Sequence, residues 1–96
     1  MSQLDGKVAI VTGATKAKGL GKAIALKLAE QGAKVVLTGR ASSKEGVEAN
    51  VAEIQNNGGD AMAVLVDVSN PQEIDAAVKE VVNRFGRVDI LINNAG

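Results

Sequence analysis

Ninety-six residues, 46% of them apolar, suffice for one domain with a real core and are too apolar for a disordered chain. Lysine plus arginine (11) equals aspartate plus glutamate (11), so charge alone points to no nucleic-acid or membrane surface. The chain has no cysteine, histidine, tyrosine or tryptophan, which excludes a disulfide framework, a thiolate or imidazole metal site and the commonest general base.

The first predicted element is Val8–Thr12, an apolar, largely β-branched run without polar alternation. That pattern suits a strand buried on both faces of a parallel sheet. Gly13 ends it, a loop with Lys16 and Lys18 follows, and Gly19-Leu20-Gly21 opens a helical pattern running to Gln31. Leu20, Ala23, Ile24 and Leu28 fall at helical spacing and are expected to face the sheet, with Gly32 ending the helix. Strand, glycine-rich turn and helix together place backbone N–H groups and a helix N-terminus before a phosphate. Glycines serve there because a side chain would block close approach of the backbone.

Strand two is expected over Lys34–Thr38, followed by Gly39-Arg40. A second helix covers Ser43–Asn57, with Val47, Val51 and Ile54 on one stripe and Lys44, Glu45, Glu48 and Glu53 on a solvated face. After the turn cluster Asn57–Asp60, strand three is Ala61–Val66, closed by Asp67. Asn70-Pro71-Gln72-Glu73 is a helix start, with Asn70 as N-cap and Pro71 at the first helical position. That helix runs to Phe85, with Ile74, Val78, Val81, Val82 and Phe85 inward and Gly86 at its end. Strand four is Val88–Ile92, and Asn93-Asn94-Ala95-Gly96 follows. Asp60, Asp75 and Asp89 read as turn and cap residues.

Apolar runs thus begin near Val8, Val35, Ala61 and Val88, roughly every 27 residues, with a helix in each interval. This alternation implies parallel strands joined by right-handed crossovers. The expected fold is α/β: a single domain over residues 1–96, a three-layer half-Rossmann unit. It has a parallel four-stranded sheet (β-α-β-α-β-α-β, order 3-2-1-4) and three helices. No apolar run reaches the ~18 residues of a membrane span, and MSQLDGK lacks a signal-peptide apolar region. A cytoplasmic protein is the expectation.

Arg40 is the second informative residue. Dinucleotide sites for NAD place an acid at the end of strand two, against the ribose 2′-hydroxyl. Gly39-Arg40 stands there instead, and a guanidinium suits the 2′-phosphate of NADP(H). The plainer reading of Arg40 is a solvated loop charge.

Four segments in order resemble the N-terminal half of the short-chain dehydrogenase/reductases, above all the ketoacyl-reductase-like members. They are KVAIVTGA, GLGKAIALKLAEQGAKVVLTGR, the Asp67-Val68 pair and VDILINNAG, and together they cover nearly the whole chain. The resemblance implies a cofactor site of Gly13, Thr15, Lys18, Gly19, Leu20, Gly21, Arg40, Asp67, Val68, Asn93, Ala95 and Gly96. Lys18 matches the family's basic residue that assists at the 2′-phosphate. Asp67 approaches the adenine amino group, with Val68 beneath the ring; as residues alone, Asp67 reads equally as a turn aspartate. Asn93 and the backbone after it line the adenosine ribose. The cofactor implied is NADP, with NAD as the alternative; no metal is implied.

The chain departs from the family's TGxxxGxG pattern. Five residues, not three, separate Thr12-Gly13 from Gly19-Leu20-Gly21. The longer loop leaves three outcomes open: relocated glycines, a harmless bulge or a blocked phosphate site. The family's serine, tyrosine and lysine lie after strand four, so no catalytic residue is assigned here. The chain reads as an engineered or excised piece. Three functions follow: a dinucleotide-binding module, a self-associating scaffold that binds nothing, and a carbonyl reductase when complemented by a C-terminal half. An open edge on strand four and an uncovered sheet face suggest a homodimer.

Overall fold

The computed structural model describes residues 3–14, 19–67 and 69–94. The elements are β1 (Val8–Val11), α1 (Leu20–Glu30), β2 (Lys34–Gly39), a single 3-10 turn (Ala41–Ser43), α2 (Lys44–Asn56), β3 (Asp60–Leu65), α3 (Pro71–Phe85) and β4 (Ile90–Ile92). All strand pairs are parallel and the order is β3-β2-β1-β4. Each expected element is present, with ends moved by one or two residues.

The apolar runs are continuous because both sheet faces are covered. Val11, Val35 and Leu37 pack with Ala25 of α1 and Val47, Val51 and Ile54 of α2. Val8, Ile10, Val36 and Val64, pointing the other way, pack with Val81 of α3. Successive strand residues therefore feed opposite layers. Val47, Val51 and Ile54 are buried as expected.

α1 is rolled relative to expectation. Leu20 is 69% exposed, Ala23 is exposed and Ile24 half-buried, whereas Gly21 and Ala25 are buried. The edge facing the sheet carries the smallest side chains, because the helix lies too close to the exit of β1 for larger ones. A Cβ at Gly21 would sit 3.1 Å from Ala14 Cα.

α3 departs further. Its start is as expected: the Asn70 side chain accepts from the N–H groups of Gln72 (3.0 Å) and Glu73 (3.4 Å), and Gly86 closes the helix with φ 85°. Of its expected inward residues only Val81 is buried; Phe85 is half-buried, and Ile74, Val78 and Val82 are exposed. Among the described residues α3 is the one helix on its sheet face. Its contact line is the narrow row Ala77–Val81–Phe85, and the flanking valines overhang open sheet.

β4 is shorter than Val88–Ile92, and Leu91 on this edge strand is 66% exposed. Asp89 extends the pairing by other means. Its N–H donates to Val8 O (2.9 Å), and its Oδ2 accepts from Val8 N–H (2.9 Å). Arg87 donates to Asp89 Oδ1 at 2.7 Å. Asp89 is thus a strand clasp, not a turn residue.

Candidate functional site

In a parallel sheet all C-terminal strand ends share one edge. Gly13 after β1, Arg40 after β2, Asp67 after β3 and Asn93 after β4 therefore come together at one rim, with the N-terminus of α1 opening on it. Chain connections leave β1 toward β2 on one side and β4 lies on the other, so this rim holds the point where strand order reverses. Thr15, Lys18, Val68, Ala95 and Gly96 lie outside the described residues.

Gly13 adopts φ 70°, a left-handed conformation that disfavours side chains, and its N–H donates to Thr38 O at 3.0 Å. Gly19 caps α1 in an extended conformation without a side-chain hydrogen bond, and no acid stands in the first turn. The first amides of α1 thus carry the positive end of the helix dipole with no capping side chain among the described residues. Gly21 is buried where α1, Ala14 and Asn94 converge; a Cβ there would lie 2.6 Å from Asn94 Nδ2. Leu20, by contrast, projects outward.

Thr12 knits the exits of β1 and β4. Its hydroxyl lies 3.2 Å from Asn93 Oδ1 and 3.4 Å from Ile92 O, and accepts from Asn94 N–H at 3.0 Å. Asn94 Nδ2 reaches Gly13 O at 3.5 Å. Asn50, fully within the core side of α2, donates to Ala14 O at 2.9 Å. None of these three was assigned to the cofactor site from sequence. Thr12 and Asn94 lie inside the segments KVAIVTGA and VDILINNAG, and Asn50 shows as a polar residue amid the apolar stripe Val47, Val51, Ile54.

Arg40 is exposed, its Nη2 4.0 Å from Asp67 Oδ1. Asp67 Oδ1 also accepts from the hydroxyl (2.6 Å) and N–H (3.0 Å) of Ser69, and the Asp67 carbonyl accepts from Asn70 N–H. The Ser69 hydrogen bonds, and secondarily Arg40, hold the Asp67 carboxyl below its ordinary range. Asp67 therefore does fill a turn role. Its N–H donates to Glu73 Oε1 at 3.0 Å, joining this corner to the α3 cap. Beneath the rim, between the sheet and α3, lies a cavity of about 430 Å³. Thr12, Thr38, Val66 and Asn93 line it on the sheet side, and the buried Thr38 hydroxyl has no hydrogen-bond partner among the described residues.

Residues 7–96 match the family model described as short chain dehydrogenase. A 3-oxoacyl-[acyl-carrier-protein] reductase of Synechocystis sp. is 48% identical over 96 residues, all of this chain and 38% of the relative. The protein of that description from Vibrio cholerae is 50% identical over 93 residues, 97% of this chain and 35% of the relative. Among solved structures, a metagenomic short-chain oxidoreductase in complex with NADP superposes with a TM-score of 0.87 at 45% identity, covering 97% of this chain and 40% of the other. A putative short-chain dehydrogenase/reductase from Burkholderia xenovorans gives 0.91 at 38% identity, covering 100% and 38%. The chain thus spans well under half the length of the relatives it matches.

Proposed function

The chain belongs to the short-chain dehydrogenase family, and on that premise we propose that it binds a nicotinamide dinucleotide at the rim, with NADP(H) preferred over NAD(H). The observation that carries the preference is Arg40: an exposed guanidinium at the end of β2, where an acid would serve a free 2′-hydroxyl, with a 4.0 Å contact to Asp67 among the described residues. Such a loose ion pair costs little to exchange for a phosphate. Lys18 is its proposed partner at the 2′-phosphate.

The residues present fit the rest of the cofactor. The uncapped amides at Gly19, Leu20 and Gly21 suit a pyrophosphate, and Gly13 and Thr15 are assigned to the same group. Asp67 and Val68 take the adenine; Asn93, Ala95 and Gly96 take its ribose. When bound, NADP(H) supplies a hydride. The chain's own residues bind and orient it, and none is proposed as a catalytic acid. These residues include no tyrosine, so carbonyl reduction enters only where such an acid joins the site from outside them. Cytoplasmic location is part of the same reading. So is a homodimer formed through the β4 edge and the overhanging stripe of α3, supported by the exposure of Leu91, Val78 and Val82.

Fluorescence titration of NADPH against NADH tests the proposal, on the wild type and on Arg40→Ala. The variant is expected to lose about 1–3 kcal/mol toward NADPH, the scale of a charge-assisted bond, and to keep its affinity for NADH. Equal losses for the two cofactors overturn the 2′-phosphate assignment. Absence of saturable binding to either leaves a self-associating scaffold.

A further inference from the structure

We propose that α2, which carries no residue of the cofactor site, sets the position of the phosphate-binding turn through Asn50 and Glu53. This rests on the dinucleotide reading above and adds positioning residues to it. Asn50 and Glu53 are three apart and so share one face of the helix. Asn50, 2% exposed, donates from Nδ2 to the carbonyl of Ala14 at 2.9 Å, on the strand side of the turn. Glu53 Oε1 meets Lys22 Nζ at 2.6 Å, in the first turn of α1 on the helix side. The Lys22 side chain is 17% exposed and that of Glu53 45%, so the lysine end of the pair is shielded and the carboxylate end meets solvent.

Between these two holds, Gly21 packs closely against Ala14. Ala14 is 1% exposed, and its Cα lies 3.1 Å from the position of a Cβ on Gly21. A shift of Ala14 is therefore passed to the start of α1, whose amides face the proposed pyrophosphate. The turn is two residues longer than the family's pattern, and a longer connection has more conformations to lose on ordering. Holding both flanks from a neighbouring helix fixes where Ala14 and Lys22 stand relative to each other. Asn50 suits the task because a buried carboxamide donates to a carbonyl without introducing charge. An aspartate of the same shape would set its carboxylate against the Ala14 oxygen.

The test compares Asn50→Asp, Asn50→Ala and Glu53→Gln with Gln55→Ala. The control removes a different α2 anchor, the 3.1 Å bond from Gln55 to Ala61 O, away from the turn. Affinity is measured for NADPH and for 2′-AMP, which keeps the 2′-phosphate and lacks the pyrophosphate. Asn50→Asp is expected to weaken NADPH roughly five- to fifty-fold, the range for a lost buried hydrogen bond. It is expected to leave 2′-AMP within about two-fold, and Gln55→Ala to leave the ratio of the two affinities unchanged. If Asn50→Asp and Gln55→Ala weaken both ligands in parallel, the role is merely structural and the proposal falls. Amide NMR shifts of Gly13, Gly19 and Gly21 in ligand-free protein give a second readout. They should move in the Asn50 and Glu53 variants and stay put in Gln55→Ala; unmoved signals overturn the positioning claim. A wild type that binds neither ligand defeats the dinucleotide reading instead, and the ligand-free signals then decide the positioning claim alone. Should Asn50→Ala fail to fold, the isosteric Asn50→Asp and surface Glu53→Gln carry the comparison.

Discussion

Gly21→Ala sets two effects of similar size against each other. In an open helix the exchange stabilises, by up to about 1 kcal/mol of propensity. At this position the new methyl meets Asn94 Nδ2 at 2.6 Å, Ala14 Cα at 3.1 Å and Ala14 Cβ at 3.3 Å. The amide of Asn94 is the end of a flexible side chain whose bond to Gly13 O is long, 3.5 Å, so it yields cheaply. Ala14 Cα is backbone, held from behind by Asn50. Restoring an ordinary carbon–carbon distance requires α1 to lift by at least about 0.4 Å. Overpacking of this kind costs about 1–3 kcal/mol, so the net effect is a loss of about 0–2 kcal/mol. For a domain of this size that lowers Tm by up to roughly 15 °C. The lift also carries the first amides of α1 away from Gly13, so NADPH affinity should fall together with stability. Thermal unfolding followed by circular dichroism, and NADPH titration on the same preparations, measure both. A variant with raised Tm and unaltered NADPH affinity would refute the close-packing argument.

Other expectations follow from the strand edges. Arg87 first, and then the Val8 N–H, hold the Asp89 carboxyl below its ordinary value of 3.8. Because the folded value is depressed, the stability Asp89 contributes is present above the unfolded value and is lost as pH falls through the folded one. Asp89→Asn should therefore unfold more readily than wild type in urea at pH 7, and the difference should shrink steadily as pH falls below the ordinary aspartate range; a pH-independent difference excludes the carboxylate as its source. Leu91→Lys puts a charge on the open edge of β4 at a position 66% exposed. Sedimentation at tens of micromolar should show a dimer for wild type and a monomer for the variant, with stability unchanged within about 0.5 kcal/mol. A monomeric wild type removes the homodimer.

What the sequence made legible was periodic or local. Two-sided burial turned Val8–Val11 and Val35–Leu37 into uninterrupted apolar runs, and one consequence of parallel strands brought Gly13, Arg40, Asp67 and Asn93 to a single rim. The Asn70 cap was readable because its partners lie two and three residues away. The failures concern what an element meets. Spacing marks Leu20, Ala23 and Ile24 as apolar but is silent on how near the sheet lies, and it was that closeness that turned Gly21 and Ala25 inward. The α3 stripe is wide in sequence, but one helix on an open sheet face buries only a narrow part of it. Thr12 and Asp89 act on partners about 80 residues distant, a relation with no local signature.

The pairing of β1 with β4 has a kinetic consequence. β1, β2 and β3 join through successive crossovers, whereas Ala9 must find Ile90 across most of the chain, and only three ladder positions reward the encounter. Closing the longer loop slows the step more than it costs stability, the added entropy being about 1 kcal/mol over a single crossover. The wall that carries Asn93 and Asn94 is accordingly expected to assemble last and fray first, with the Asp89 clasp and the Thr12 hydroxyl as its fastenings.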